Sequence, residues 1–294
     1  MDILADEAGW PAERLDRDYN ARASVPPAVF DATMRAYRSQ SDIAYREVAS
    51  HLNIVYDEES GQTLDVFGVA DVARPVFVFI HGGYWRALSK FDSAFMAGML
   101  ARHGIATVVI DYCLAPAVSL GDIVREVRAA VSFLWRSGES YGIDPNRMVA
   151  GGSSAGGHLT GCLLAGGWHQ SFAVPENLIK AALPISGLFH LAPIAKSFVQ
   201  DWIKLDEPSI QALSPALHLP RLGCEIVLAY ADGEPNGFKR QSIEYHRIWK
   251  SAGFKASLIE IRRRNHFDVL LDLASDDSLL SRALLKLFAD IRAG

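Results

Sequence analysis

From about residue 50 onward, short apolar runs alternate with helix-length segments, and this rhythm constrains the fold more than any other feature of the chain. The strand-like runs fall at 51–57, 63–69, 76–80, 107–111, 148–151, 181–185, 225–230 and 257–261. The first two flank the turn-like Glu58-Glu59-Ser60-Gly61 and predict an antiparallel hairpin. Later runs are separated by helix-length stretches, which is the pattern of parallel strands joined by crossovers over both faces of a sheet. Helical periodicity fits 90–103, 120–137, 155–165, 238–252 and 277–293. The expectation is an α/β protein with a mostly parallel eight-stranded sheet and helices on both faces.

Two regions break the rhythm. Residues 1–50 hold helical stretches at 27–36 and 41–49 with Trp10, Tyr19, Phe30 and Tyr37 among them, and 188–220 interrupts two strands with irregular chain. Either region reads as padding or as a cap over the carboxyl edge of the sheet, where open α/β folds bind ligands. The cap reading is preferred, with 1–50 as an N-terminal cap segment and 188–220 as a second lid insertion on a single domain spanning 1–294.

Composition excludes several classes of function. A net charge of −5, with no basic stripe, gives no electrostatic reason to expect nucleic acid or an anionic membrane. No apolar run approaches the length of a membrane span, and the start of the chain lacks the basic and apolar regions of a signal peptide. Three widely spaced cysteines suggest neither a disulfide framework nor a zinc site, so no metal or cofactor is expected and the cytoplasm is the natural compartment. A homo-oligomer is compatible with all of this, and nothing in the sequence sets the oligomeric state.

Chemistry concentrates in three places. Gly152-Ser153-Ser154-Ala155-Gly156 is a G-x-S-x-G pentapeptide between a strand-like run and a helical one. Small residues at both ends allow a sharp strand-to-helix turn that presents Ser154 as a nucleophile. The pentapeptide alone is weak, because Gly/Ser loops match it by chance. A late Asn265-His266-Phe267-Asp268 follows the last strand and places His266 where a general base for Ser154 belongs. The loop after 225–230 offers two acids, Asp232 and Glu234, to orient that base, and spacing from the strand slightly favours Asp232. His81-Gly82-Gly83-Tyr84-Trp85 directly follows another strand. Paired glycines let backbone N–H groups approach a developing oxyanion, so Gly82, Gly83 and the N–H of Ala155 are the expected oxyanion hole. Tyr84 and Trp85 follow closely enough to edge a substrate pocket, the alternative being that they pack in the core.

At this point the residues carry a resemblance. His81-Gly82-Gly83, Asp111-Tyr112-Cys113-Leu114-Ala115-Pro116 and Gly152–Gly157 resemble the hormone-sensitive-lipase-like branch of the α/β-hydrolase fold. The Tyr84-Trp85 extension with Leu88-Ser89-Lys90, Asp18-Tyr19-Asn20-Ala21-Arg22, Thr63–Phe67, Phe238-Lys239-Arg240-Gln241-Ser242 and His266-Phe267-Asp268 resemble the kynurenine formamidase (arylformamidase) group within it. The resemblance implies Glu234 rather than Asp232 as the triad acid, since the family's carboxylate lies four residues before that Phe. Cys113 departs from the arginine usual in the wider branch. By resemblance, the expected reaction is hydrolysis of an aryl formamide such as N-formylkynurenine through a formyl-enzyme. The rival readings are an esterase or amidase acting on another small aryl ester, anilide or carbamate, a non-catalytic binding protein on a hydrolase scaffold, and a metal-dependent formamidase. The last is disfavoured by the absence of His and carboxylate residues at ligand spacing.

Overall fold

The structure, a computed structural model, describes residues 3–293. Its strands are β1 (Ser50–Asp57), β2 (Gln62–Phe67), β3 (Arg74–Ile80), β4 (Ala106–Ile110), β5 (Ile143–Ser153), β6 (Ile179–Ile185), β7 (Glu225–Ala231) and β8 (Ala256–Ile261). They form one eight-stranded sheet in the order β1-β2-β4-β3-β5-β6-β7-β8. The β1–β2 and β2–β4 pairs are antiparallel, and every pair from β4–β3 to β7–β8 is parallel. All eight expected strands are present.

Period-two alternation divides the core into two layers. On β3, Val76, Val78 and Ile80 face one apolar cluster while Phe77 and Phe79 face the other. Both layers are fully buried along this strand, which is why its sequence reads as a continuous apolar run rather than an alternating one.

The helices are α1 (Ile3–Glu7), α2 (Ala12–Tyr19), α3 (Pro27–Glu47), α4 (Ala97–Arg102), α5 (Leu120–Ser137), α6 (Ala155–Leu164), α7 (Gln200–Ile203), α8 (Glu207–Leu213), α9 (Asn236–Ser251) and α10 (Leu279–Ala293). Buried residues of α5, α6 and α9 join the first cluster, and those of α3, α4 and α10 join the second, so helices cover both faces. The start of α5 shows why a helix begins where it does. Ser119 Oγ accepts the Asp122 N–H, and Asp122 accepts the Ser119 N–H in return, which is a capping box.

Two helical expectations need correction. The stretches 27–36 and 41–49 are one continuous helix, α3, because no breaker separates them and Pro27 occupies the first turn where proline is tolerated. The helix expected over 90–103 is instead a 3-10 turn at Lys90–Asp92 and the short α4. The reason is tertiary. Lys90 is fully buried, and its Nζ donates to Asn53, Thr63 and Asp65 at 2.7, 2.9 and 2.8 Å. Its backbone N–H donates to Asp111 at 2.7 Å, and the Ala94 N–H donates to Ser41 Oγ at 3.0 Å. These clamps draw backbone donors away from an early α-helical turn.

Candidate active site

Ser154 sits between β5 and α6 with φ 57° and ψ −117°, a conformation that L-residues seldom adopt. Its neighbours explain how the turn is held. The Ser154 N–H donates to Ile185 O at 2.9 Å, and its carbonyl accepts the His158 N–H at 3.0 Å. A Cβ on Gly152 would come within 2.5 Å of Gly156 O, and one on Gly156 within 2.0 Å of Ile80 O. Both ends of the pentapeptide therefore require glycine for space. Ser153 is the last residue of β5, and it also lines the cavity beside Ser154.

His266 and Glu234 arrive on two loops that are zipped together. The Asp232 N–H donates to Ile261 O at 3.0 Å, and the Gly233 N–H donates to Arg264 O at 2.9 Å. Within this frame His266 Nδ1 and Glu234 Oε2 are 2.8 Å apart, and both side chains are buried. Asn265 steadies the loop by accepting the Phe267 and Asp268 N–H groups at 2.9 and 3.1 Å. The Phe238 ring packs 4.1 Å from the imidazole. Asp232 points elsewhere, accepting the Arg264 N–H at 3.3 Å, and backbone hydrogen bonds to the Arg263–Arg264 turn lower its carboxyl pKa. Of the two acids left open by local sequence, the structure thus brings Glu234 to His266.

Gly82 and Gly83 follow β3 and line the same cavity as Ser154 and His266. Gly83 has φ +94°, and a Cβ there would lie 2.2 Å from Ala87 O. A Cβ on Gly82 would lie 2.7 Å from Ser153 O, so the glycine turn is pressed against the end of β5. The neighbouring His81 ring stacks on Tyr112 at 4.1 Å, and the Tyr112 hydroxyl donates to His81 O at 2.9 Å, fixing the approach to the turn. Burial lowers the His81 pKa to about 4, so this ring is neutral near pH 7. Ala155 opens α6, and its N–H is one of the helix's first-turn donors without an intrahelical partner.

These groups meet in a cavity of about 250 Å³. The first fifty residues supply Asn20, Arg22, Phe30, Met34 and Tyr37, and the 188–220 region supplies Phe198 and Trp202. Tyr84 lines it as expected. Its hydroxyl donates to Tyr19 O, and its carbonyl accepts the Trp202 indole N–H at 3.1 Å. Burial, reinforced by the Glu234 carboxylate, raises the Tyr84 pKa, so it remains a phenol. Trp85 differs from its expectation of pocket contact. It is fully buried, lies outside the cavity lining and sets its ring edge-on 5.1 Å from His158 of α6. The positive φ of both Tyr84 and Trp85 swings consecutive side chains to different sides of the turn. A wider depression of about 750 Å³ around His169, Glu176 and Arg221 holds none of the expected site residues. Among the described residues, no three His, Cys, Asp or Glu side chains are grouped to hold a metal ion, and no helix is long and apolar enough to cross a membrane.

Sequence reasoning did not find Phe30, Met34, Phe198 and Trp202 as wall residues. They come from segments far apart in the chain, and no local pattern links them.

Comparison with known proteins supplies the relatives. A family model described as BD-FAE matches residues 64–181. Kynurenine formamidase of Salmo salar is 32% identical over 80% of this chain and 81% of its own length. Kynurenine formamidase of Danio rerio is 30% identical over 97% of this chain and 99% of its own. The chain belongs to the kynurenine formamidase family. A solved structure titled as a putative thioesterase from Silicibacter sp. TM1040 superposes with a TM-score of 0.79 at 26% identity, covering 92% of this chain and 98% of that one. Like other members of the kynurenine formamidase family, the chain is a hydrolase of the α/β-hydrolase fold. The match with the Danio rerio protein covers 97% of the chain and so takes in most of the N-terminal segment, which supplies residues to the cavity wall.

Proposed function

We propose that this hydrolase cleaves small aryl formamides, of which N-formylkynurenine is the type, with Ser154 as nucleophile, His266 as base and Glu234 as the acid that orients it. The observation that carries the reading is the buried 2.8 Å contact between His266 and Glu234 beside a serine on a strained strand-to-helix turn. The carboxylate accepts a hydrogen bond from Nδ1–H, which leaves Nε2 free to take the proton of Ser154. The serine oxygen attacks the formyl carbon, and the oxyanion is received by the N–H groups of Gly82, Gly83 and Ala155. Each such donor contributes about 3 kcal/mol in comparable sites. The imidazolium then protonates the leaving arylamine nitrogen, the C–N bond breaks, and water repeats the relay to release formate.

Substrate size follows from the cavity. A volume of about 250 Å³ with aromatic walls suits one substituted ring and an acyl group as small as formyl. In this reading Tyr84 contacts the substrate, while Trp85 acts from behind by packing α6. The segments 1–50 and 188–220 serve as cap and lid of a single domain. Three free thiols fit a reducing, cytoplasmic setting. The test is a panel of formanilides and short-chain phenyl esters under one set of conditions. Higher kcat/KM on the formanilides is expected, and consistent preference for the esters would replace the formamidase reading with an esterase one. The putative thioesterase title of the structural relative makes the esterase reading the second choice.

A further inference from the structure

The Gly82-Gly83 turn is gripped from the core side by a residue outside the cavity lining. Tyr112 follows β4 and is buried. Its hydroxyl lies 2.9 Å from His81 O and 3.2 Å from Gly82 O, so one donor is shared between two successive carbonyls. His81 Nδ1 makes a further contact to Gly82 O at 2.9 Å, and its ring stacks on that of Tyr112 at 4.1 Å. Two consecutive carbonyl oxygens therefore converge on a single phenol.

The consequence falls on the opposite side of the backbone. In a planar trans peptide the C=O of one residue and the N–H of the next point in opposite directions. The His81 carbonyl shares its plane with the Gly82 N–H, and the Gly82 carbonyl shares its plane with the Gly83 N–H. Gathering both oxygens at Tyr112 turns both N–H groups away from it, on the stretch of chain that lines the cavity with Ser154. Successive N–H groups facing one way form an anion-binding concavity, and the left-handed φ of +94° at Gly83 belongs to such a turn. Among the described residues neither N–H donates to a protein acceptor.

Tyr112 is itself fixed through its neighbours in the chain. The Asp111 N–H donates to Thr63 O at 3.1 Å, its carboxylate accepts the Lys90 N–H at 2.7 Å, and its carbonyl accepts the Tyr56 hydroxyl at 2.6 Å. The Cys113 N–H donates to Glu126 at 2.7 Å. The Ala115 N–H donates to Trp85 O at 2.8 Å, which ties the same loop to the far end of the glycine turn. Burial, reinforced by Asp111, raises the Tyr112 pKa well above its ordinary value, so the hydroxyl stays a donor. We infer that Tyr112 is a positioning residue that aims the oxyanion donors, acting through the peptide planes of 81–83 without touching substrate. The inference rests on the proposed role of Gly82 and Gly83 and adds what orients them before substrate arrives. Donors fixed in advance need no reorganisation when charge develops.

Tyr112→Phe removes the hydroxyl and keeps the ring that stacks on His81. On formanilide and on phenyl acetate, kcat should fall about 10-fold to 100-fold with KM within about twofold, since losing one oxyanion donor outright costs about 10²–10³ in kcat. A matched pair of inhibitors supplies the readout that a merely structural role would not move. Trifluoroacetophenone is attacked by a serine oxygen to give a tetrahedral oxyanion, whereas acetophenone binds only as the ketone. The variant should lose affinity for the trifluoro ketone by the factor lost in kcat/KM and keep its affinity for acetophenone. para-Aminophenylalanine in place of Tyr112 returns a donor to the same spot and should recover most of both losses. A preference for the trifluoro ketone that survives in Tyr112→Phe overturns the inference and leaves the oxyanion hole standing. Equal losses on the two ketones also overturn it, because they mark a general loosening of the cavity. A parent that binds both ketones alike ends the oxyanion reading and the inference together. Inert formanilide with active phenyl acetate ends only the formamidase reading, and the inference is then read on the acetate. Should Tyr112→Phe not fold, para-methylphenylalanine in place of Tyr112 fills the space of the hydroxyl without a donor and is judged by the same outcomes.

Discussion

At the scale of single residues, the proposed triad separates two carboxylates that lie two positions apart in the chain. Glu234 is buried against His266, while Asp232 caps the neighbouring turn. Glu234→Gln should lower kcat on the order of 10³–10⁴-fold by loosening the tautomer and orientation of His266. Asp232→Asn should leave kcat within the same order of magnitude, and steady-state kinetics on both variants would expose the reverse assignment. Ser154→Ala should lose about 10⁴-fold or more in kcat while keeping the far-UV spectrum of the parent. Turnover near the parent's in that variant would remove Ser154 from the mechanism. That Ser154 and His266 line one cavity was legible in the sequence because each sits beside a recognisable strand end. Glu234 was legible only through family resemblance, since two carboxylates on one short loop satisfy the same spacing. For Trp85 the sequence left pocket contact and core packing both open. Nothing in a Tyr-Trp pair reveals that a left-handed backbone at both positions sends the tyrosine to the cavity and the tryptophan into the core.

At the scale of elements, the N-terminal segment is tied down by charge as well as by packing. Arg240 on α9 reaches both Glu7 of α1 and Asp18 of α2, and Glu7 also accepts the Tyr19 hydroxyl at 2.8 Å. Tyr19 in turn supplies the carbonyl that holds Tyr84 at the cavity. Arg240→Met strands the fully buried Glu7 side chain without its cation, and such a loss costs about 3–5 kcal/mol. Urea denaturation should show that drop, together with faster proteolysis within the first twenty or so residues (about the span of α1 and α2). An unchanged midpoint would mean the segment is held by its apolar contacts alone. The elements also show where the sequence misled. The central strands were readable because their buried stretches, such as 76–80, are continuous apolar runs, and the edge pair β1–β2 was readable from the turn between them. The 90–103 region carries helical periodicity, but the buried Lys90 network spans β1, β2 and the loop after β4, and local periodicity contains no trace of partners so distant.

At the scale of the whole molecule, two buried imidazoles set the acid limit of stability. Burial lowers the pKa of both His81 and His158 from 6.5 to about 4. The unfolded chain therefore takes up protons first as the pH falls. Their contribution is intact above about pH 6.5 and is lost progressively down to pH 4, on the order of 3 kcal/mol for each ring. Urea midpoints measured between pH 7.5 and 5 should fall with pH, and His158→Gln should flatten the slope. A flat profile in the parent would show that these rings charge without cost. The order of assembly follows from Arg240 as well. Its contact with Asp18 joins residues 222 apart in sequence, and the turns bearing Ser154 and His266 lie between or beyond them. During synthesis α1 and α2 emerge long before α9 and are therefore among the last of these elements to find their place. Their apolar faces wait unpartnered while most of the sheet is synthesised. Regained activity on refolding is then a clock for completion of the entire chain, because no fragment ending before α9 can close its own cavity.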